Sequence, residues 1–455
     1  MRRRKDIESL LPGEGENFDV IIAGGGPAGI GAALGAASNG AKTLLLEARA
    51  FFGGTAAVSG WMPMNRLFLN GGSRGGVHEM FVNKLQSMGP EAARAGKTSW
   101  VDGDGLHVHP DYLRLAVMEL LEEQHCCYLL HSPVTAVEMR GKFINAVVCD
   151  GKYGRRSYSA QVYVDCSGDG DLACYAGVPF KKGREQDGAF MPVTIGFVLA
   201  NVDEERLFAA YNGDAENFTA KIMEAAENEG CVKCVFYSFD RTTVPGIVSV
   251  NNGGPEGIGI IDATNINDVN IAERMGLQAA FDFVRIARKY RLPGLEQCFL
   301  VRTGQDLGVR ETRRIEGEYT LTLEDSQRGR EFPDVVALRY GTIDPGGLRE
   351  DKNHHGSIKN GHQYPYRCML PQEVDPLLVA GRCASLTHLG LAVCKSMGNM
   401  MGIGQAAGVA AALSAEERVL PRHIDVKKIQ ARLRDMKVNL QSPGQMSSDT
   451  AGLNI

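Results

Sequence analysis

Long hydrophobic segments are absent from this chain of 455 residues. No run reaches the roughly 18 apolar residues that a membrane-spanning helix needs. The basic residues at positions 2 to 5 precede a polar stretch, whereas a secretory signal would continue with an apolar segment. We therefore expect a cytoplasmic protein without a membrane partner.

A strong excess of charge of one sign is also missing. The chain carries 49 Lys and Arg residues against 54 Asp and Glu residues, a formal net charge of −5 at pH 7. Nucleic-acid backbones are bound by clustered basic surfaces, and the sequence contains no basic stripe of that kind. The composition predicts no nucleic-acid partner and disfavours a role in tRNA modification.

Cysteine occurs without regular spacing. The 11 cysteines are an odd number, which fits reduced thiols better than a disulfide framework. Cys231 and Cys234 form a CxxC pair, but neither a second pair nor an adjacent βαβ unit accompanies them. We predict no metal site and no iron–sulfur cluster, and the roles of these two thiols stay open.

Glycine, in contrast, is abundant, with 55 residues, and one group of glycines follows an apolar run that starts at Asp19. Gly24 permits a tight strand-to-helix turn, Gly26 lets backbone approach a pyrophosphate, and Gly29 lets the helix pack closely on the strand. Glu47 ends the next apolar run, where a carboxylate binds both ribose hydroxyls. The pattern predicts a βαβ unit that binds an adenine dinucleotide.

Helical and strand patterns alternate in both terminal parts of the chain. The spacing of apolar residues predicts a helix over 27–38, another from Pro110, and a β-meander over 133–164. Near the C-terminus, a buried strand over 376–382 precedes a helix of small residues over 398–413. Between the two terminal parts of the chain, an amphipathic helix is predicted over 269–290.

Four separated segments resemble one family. They are the extended fingerprint from Gly24 to Gly40, the strand-turn Val164 to Asp171, the run Gly308 to Tyr319, and Leu378 to Cys383 with Gly404 to Gly408. In these segments the chain resembles the FAD-dependent oxidoreductases of the glutathione-reductase-like flavoprotein superfamily. The resemblance is greatest to the group that includes the flavin subunit of heterodisulfide reductase, and it extends more distantly to fumarate reductase flavoproteins.

The resemblance implies an α/β fold, a Rossmann-like FAD-binding domain with an inserted mixed α+β substrate domain. The FAD-binding domain would comprise residues 1–177 and 361–455, and the inserted domain residues 178–360. Related fumarate reductases attach flavin to a histidine after the ribose-binding acid. Since no His or Cys lies between Glu47 and Gly60, we expect noncovalent FAD.

The motifs and the resemblance together imply a set of FAD-binding residues at both ends of the chain. These are Gly24, Gly26, Pro27, Ala28, Gly29, Glu47, Ala48, Arg49, Gly53, Gly54, Thr55, Val134, Ser167, Gly168, Asp169, Gly381, Arg382, Met397, Gly398, Asn399 and Met400. The helix after Ser396 would point its N-terminus at the flavin and stabilise the reduced ring.

Candidate catalytic residues cluster in the second half of the chain. His388 lies in a Thr-His pair that the family shares, although a capping or packing role is equally compatible with one histidine. Lys395 stands where the family usually has Arg, and Arg310 either binds an anion or forms salt bridges with neighbouring glutamates. His354 or His355 would replace a histidine that the family carries nearby.

The expected function is an FAD-dependent oxidoreductase that transfers a hydride between a small organic substrate and flavin N5. An electron-transfer subunit of a larger redox complex and a flavin monooxygenase remain alternatives. A homo-oligomer is possible. The sequence leaves open the substrate, the direction of transfer and the electron acceptor.

Overall fold

The structure is a computed structural model that contains α and β elements throughout. It describes residues 4–8, 10–13, 15–69, 72–96, 105–344, 346, 348, 351, 356–357 and 361–441. The candidate residues His354 and His355 lie outside the described residues.

The helices occur along the whole of the described chain. They are α1 (Arg4–Glu8), α2 (Pro27–Ala37), α3 (Thr55–Val58), α4 (Gly76–Ser87), α5 (Pro110–Glu123), α6 (Asp171–Tyr175), α7 (Glu204–Gly213), α8 (Ala215–Asn228), α9 (Ile266–Lys289), α10 (Leu323–Gln327), α11 (His388–Cys394), α12 (Met397–Glu417) and α13 (Val426–Asp435).

The strands form one large sheet, one four-stranded sheet and several two-stranded pairs. They are β1 (Asn17–Ala23), β2 (Thr43–Leu46), β3 (Phe68–Leu69), β4 (Gly72–Ser73), β5 (Ala93–Gly96), β6 (Gly105–Val108), β7 (Cys127–Leu129), β8 (Val134–Arg140), β9 (Phe143–Gly151), β10 (Gly154–Asp165), β11 (Phe180–Lys182), β12 (Phe197–Ala200), β13 (Tyr237–Arg241), β14 (Val248–Asn252), β15 (Phe299–Thr303), β16 (Arg313–Ile315), β17 (Val335–Arg339), β18 (Thr342–Ile343), β19 (Gly356–Ser357), β20 (His362–Pro365) and β21 (Leu377–Val379).

The large sheet has a parallel centre. Its strand order is β7-β2-β1-β10-β9-β8, and β21 also pairs with β10. β1 lies between β2 and β10, with Ile21 opposite both Leu44 and Tyr163 in parallel register. Strands buried on both faces read as continuous apolar runs, and the last four residues of β1 are all buried. The predicted βαβ unit is confirmed.

The predicted meander is confirmed as β8, β9 and β10, which pair antiparallel in sequence order. β10 is long enough to join two pairings. Its first half pairs with β9, and its second half runs parallel to β1. β10 therefore carries the chain from the meander into the centre of the parallel sheet.

Helices α2 and α12 pack side by side with their backbones in close contact. A Cβ added to Gly404 would lie 1.9 Å from the Ala28 carbonyl oxygen, and one added to Gly408 would lie 2.0 Å from that of Ala32. Because both contacts advance by four residues, the two helices are parallel. Only glycine permits this approach, so both helices begin at the same edge of the sheet.

A second layer is built on the antiparallel sheet β13-β14-β12-β15. Its core contains Phe197, Phe239 and Phe283, with the last of these contributed by the amphipathic helix α9. The side chains of Leu321 and Val336, further along the chain, pack instead in the main core around α2 and α12. The chain thus returns to the first layer before strand β20.

Among the helices that the structure describes, none combines the length and the apolar character required to cross a bilayer.

Candidate active site

A cavity of about 1090 Å³ lies between the carboxyl edge of the parallel sheet and the second layer. The first layer contributes the fingerprint turn and the start of α12. The second layer contributes Thr194, Phe236, Asn251 and Val269. Crevices at this edge of an open α/β sheet are where such folds bind ligands.

Many of the predicted FAD-binding residues line this cavity. They are Gly24, Gly26, Pro27, Ala28, Glu47, Ala48, Arg49, Gly54, Thr55, Val134, Ser167, Gly168, Asp169, Gly381, Arg382, Met397 and Met400. The structure thus brings together residues from three distant parts of the chain.

The fingerprint turn is shaped for close approach. Gly24 has a φ of +97°, and a Cβ there would lie 2.5 Å from the Cys166 carbonyl oxygen. Gly26 is the N-cap of α2 and offers no side-chain cap, while Pro27 occupies the first turn. The first N–H groups of α2 therefore lack an intrahelical or capping partner, an arrangement suited to a pyrophosphate.

Glu47 is fixed by its own backbone surroundings. Its Oε2 accepts a hydrogen bond of 2.6 Å from the Gly25 N–H, and its Oε1 accepts one of 2.7 Å from the Arg49 N–H. Only 4% of the residue is exposed, and it lines the cavity. Each carboxylate oxygen keeps a free lone pair, so the group can still accept bonds from ribose hydroxyls.

Asp165 supports the second turn at this edge, a role that the sequence analysis did not assign to it. Its Oδ1 accepts hydrogen bonds from the N–H and hydroxyl of Ser167, and its Oδ2 accepts one of 2.8 Å from the Ala173 N–H. Burial raises the pKa of Asp165, and these hydrogen bonds oppose that rise. An acid at the end of an apolar run was the signal available in the sequence.

Asp169 connects this turn with two other segments of the family resemblance. Its Oδ1 accepts a hydrogen bond of 2.8 Å from the Thr312 hydroxyl and another of 2.8 Å from Nη2 of Arg382. The runs 164–171, 308–319 and 378–383 therefore meet at one carboxylate, and Thr312 joins the set of residues that shape the site.

The other end of the cavity carries a charged cluster beside the start of α12. The N-cap Ser396 makes no side-chain hydrogen bond to the helix, and Lys395, Ser396 and Met397 all line the cavity. Lys395 Nζ lies 2.8 Å from Oδ2 of Asp344 and also donates to the Asp344 carbonyl. Arg310 lines the same region.

These charges change the acidity of their neighbours. Burial lowers the pKa of Lys395, and the charge of Asp344 opposes this. Burial also acts to raise the pKa of Asp344, but the charges of Lys395 and Arg310 outweigh it and hold that pKa well below its ordinary range. A lysine with a lowered pKa in a cavity is a candidate for proton transfer.

His388 is not in the cavity, so the prediction that it faces the flavin or the substrate is not supported. It is the first residue of α11, its side chain is 7% exposed, and its Nδ1 lies 2.7 Å from Oε2 of Glu311. Its Nε2 lies 3.3 Å from Oδ2 of Asp351. Glu311 pairs with Arg314, and Asp351 pairs with Arg184. The alternative packing role is the one that this buried ionic network favours.

Four of the predicted FAD-binding positions lie behind the cavity wall. Gly29 packs against the Gly24 carbonyl, and the Gly53 N–H donates to Gly25. The N–H of Gly398 is taken by the Asn65 carbonyl, and the side chain of Asn399 bonds to the backbone of Tyr340. These residues shape or support the wall instead of contacting the cavity.

Among the described residues, no group of three or more His, Cys, Asp or Glu side chains is arranged to hold a metal ion. The fit to a dinucleotide is better defined. At one end of the cavity lie the start of α2, the glycine turn at Gly24 and the carboxylate of Glu47. At the other end lies the start of α12. Neither helix has a side-chain cap at its N-terminus. These residues fit FAD.

The family model described as FAD dependent oxidoreductase matches residues 19–433. The chain belongs to this family. It is therefore an FAD-dependent oxidoreductase, an enzyme whose cofactor is FAD, and its fold is the Rossmann-like α/β fold.

The chain is also similar to several named proteins. It is 38% identical over 80 residues to 4-oxocyclohex-2-ene-1-carboxylate 5-dehydrogenase from Sinomonas cyclohexanicum, a match that spans 17% of this chain and 13% of that relative. A geranylgeranyl bacteriochlorophyll reductase-like protein from Thermoplasma acidophilum is 12% identical, with 93% of this chain and 83% of that chain covered and a TM-score of 0.46. The myxobacterial chondrochloren halogenase is 14% identical, with 93% and 79% covered and a TM-score of 0.48.

Proposed function

We propose that this oxidoreductase binds FAD noncovalently and dehydrogenates a small organic substrate. The observation that carries the proposal is the single cavity that runs from the dinucleotide fingerprint at α2 to the uncapped start of α12, where Lys395 and Arg310 lie. The name of the relative from Sinomonas, a dehydrogenase, supports this direction of transfer.

The residues suggest how FAD would lie in the cavity. Glu47 would bind the adenosine ribose, and the N–H groups at the start of α2 would bind the pyrophosphate. The start of α12 would face the pyrimidine side of the flavin ring. When bound, FAD supplies the hydride acceptor, its N5 atom.

Lys395 is the proposed proton acceptor. A substrate that loses a hydride without a change in its net charge must also release a proton, and a base in the cavity has to accept it. Burial lowers the pKa of Lys395, which increases the neutral fraction of its amine, and Asp344 holds the amine in place at 2.8 Å. Arg310 cannot serve as the base because its guanidinium stays protonated.

Noncovalent binding is supported by what surrounds the cavity. The described residues that line it include no histidine and one cysteine, Cys166. Burial raises the pKa of the Cys166 thiol well above its ordinary value, so the nucleophilic thiolate is strongly disfavoured.

The finer assignment to the glutathione-reductase-like superfamily is part of the proposal. It is supported by the meeting of the family segments at Asp169 and around one cavity. We also propose an inserted substrate domain over residues 178–360, which contains the sheet of β12 to β15, a cytoplasmic location, and self-association.

Anaerobic reduction tests the function. Purified holoprotein is mixed with a panel of small organic donors, and the flavin absorbance band is followed. Bleaching by at least one donor is expected. If no organic donor bleaches the flavin while a partner protein reduces it quickly, the dehydrogenase proposal is wrong. Formation of an oxygen adduct by the reduced enzyme would indicate a monooxygenase instead.

A further inference from the structure

The cationic side chains that line the cavity differ in how they are paired. Arg49 forms an ion pair with Asp306, Arg382 with Asp169, and Lys395 with Asp344. Within the described part of the chain, Arg310 has no carboxylate oxygen within 4 Å. Asp344, whose charge acts on Arg310, is held by Lys395. Among the described residues, Arg310 therefore has no counter-ion of its own.

The Arg310 guanidinium is held in place by backbone carbonyl groups. Nη1 donates a hydrogen bond of 2.7 Å to the Pro192 carbonyl, and Nη2 donates one of 3.4 Å to that of Asn252. Burial lowers the pKa of Arg310, against the charge of Asp344, but a guanidinium remains protonated in a protein. The N–H donors that these carbonyls leave free are available to a ligand.

Apolar side chains share the cavity wall with Arg310. Leu307 and Val309 precede it in the chain, and Phe236 and Ile343 also line the cavity. A buried charge in apolar surroundings is costly unless an opposite charge neutralises it. A ligand with one negative charge and an apolar body matches both features.

FAD itself is a poor match for this charge. Its phosphates would lie at the start of α2, beside Gly24 and Ser167, whereas Arg310 bonds to Pro192 and Asn252 in the second layer. We propose that Arg310 binds the carboxylate of the substrate, so that the enzyme acts on small monocarboxylates with an apolar body. This inference rests on the proposed dehydrogenase function.

The test uses holoprotein and three matched pairs of probes, each a carboxylate with its uncharged amide: acetate and acetamide, hexanoate and hexanamide, benzoate and benzamide. Binding is followed by the change in the flavin absorbance spectrum. At least one carboxylate should bind more tightly than its amide. In Arg310→Met its Kd should rise at least about tenfold, as expected for the loss of a charged hydrogen bond, while the Kd of the amide stays unchanged.

Arg302→Met provides the matched control, because Arg302 lies on β15 and does not line the cavity. It should leave every Kd unchanged. The FAD content of each variant is measured from the ratio of flavin to protein absorbance, and Arg310→Met should retain FAD as the wild type does.

Three results would overturn the inference: no carboxylate binds more tightly than its amide, the carboxylate and its amide weaken equally in Arg310→Met, or Arg310→Met loses FAD. The last result would assign Arg310 to the cofactor phosphates. If carboxylates do not bind but a neutral donor bleaches the flavin, the proposed substrate class is wrong and the dehydrogenase proposal stands. If carboxylates bind through Arg310 but no organic donor bleaches the flavin, the dehydrogenase proposal is wrong.

Discussion

Lys395 and His388 are close in sequence but differ in environment. The Lys395 amine reaches the cavity and pairs with a carboxylate that also lines it. The His388 ring is enclosed between Glu311 and Asp351, away from the cavity. Of the two residues, only Lys395 is placed to exchange a proton with a ligand, because proton transfer requires hydrogen-bond reach.

The rate of flavin reduction should depend on pH through Lys395. Since burial lowers the pKa of Lys395 from 10.5, the neutral amine accumulates as pH rises through that lowered value, and the rate should rise with it. Lys395→Met should slow reduction by about 10²- to 10⁴-fold and remove this rise. Stopped-flow reduction at a series of pH values measures both effects. An unchanged pH profile in Lys395→Met would exclude Lys395 as the base.

His388→Ala should destabilise the protein without slowing the reaction. Removal of the ring leaves Glu311 and Asp351 without one of their buried partners, a loss of about 1 to 3 kcal/mol in the free energy of unfolding. Chemical denaturation measures this loss, and His125→Ala, at an exposed position, is the control. A large fall in the reduction rate of folded, FAD-loaded His388→Ala would return His388 to the catalytic set.

At the scale of single elements, the start of α12 is held by buried polar side chains. Asn399 accepts hydrogen bonds from Arg74 Nη1 and the Tyr340 N–H, and donates one of 2.6 Å to the Tyr340 carbonyl. His78 Nε2 lies 2.8 Å from the Gly398 carbonyl, and burial, with the charge of Arg74, lowers the pKa of His78 to about 3. The neutral ring therefore donates to that carbonyl, and α4 and α12 are joined at the first turn.

Asn399→Ala should loosen this turn and make the flavin midpoint potential more negative. A helix N-terminus stabilises a nearby negative charge by about 0.3 to 2 kcal/mol, so partial loss corresponds to roughly 10 to 40 mV for a two-electron couple. Spectroelectrochemical titration measures the shift. Glu417→Ala, at the exposed end of the same helix, is the control and should leave the potential unchanged. Equal potentials in Asn399→Ala and wild type would contradict the role of this turn.

The elements were largely predictable, and the support of α12 was not. Apolar runs and glycine signals predicted α2, the meander, α9 and α12 because local periodicity determines those elements. Arg74 lies 325 residues from Asn399 and belongs to no motif, so their contact depends on tertiary packing alone. The same reason explains why the sequence did not reveal the surroundings of His388, whose partners Glu311 and Asp351 are distant in sequence.

At the scale of the whole molecule, the cavity joins the two layers. Its walls come from the parallel sheet, from α12 and from the segments around β13 and β14. The motifs predicted the wall on the side of the parallel sheet, since the fingerprint residues form it. The residues that the second layer contributes, Thr194, Phe236, Asn251 and Val269, belong to no motif, and only the packing of the layers reveals them.

Removal of FAD should destabilise the whole protein. A ligand present at 100 times its Kd stabilises the folded state by about 2.7 kcal/mol. Differential scanning calorimetry of apoprotein and FAD-loaded protein should show a lower melting temperature for the apoprotein. Acid precipitation should release intact FAD into the supernatant. Flavin that stays with the precipitated protein would instead demonstrate covalent attachment.

The contact between α2 and α12 also fixes how far apart the two helix starts lie along their common direction, and this distance selects the cofactor. α12 begins at Met397, about two turns before Gly404, whereas α2 begins one residue before Ala28, the partner of Gly404. At 1.5 Å per residue, α12 therefore projects about 9 Å further than α2 in the same direction. The backbone contact fixes this offset between the two helix starts. Only a molecule with both an adenosine part and a distant ring can therefore bind to Glu47 and to both helix starts. FMN, which lacks the adenosine part, is too short to do so.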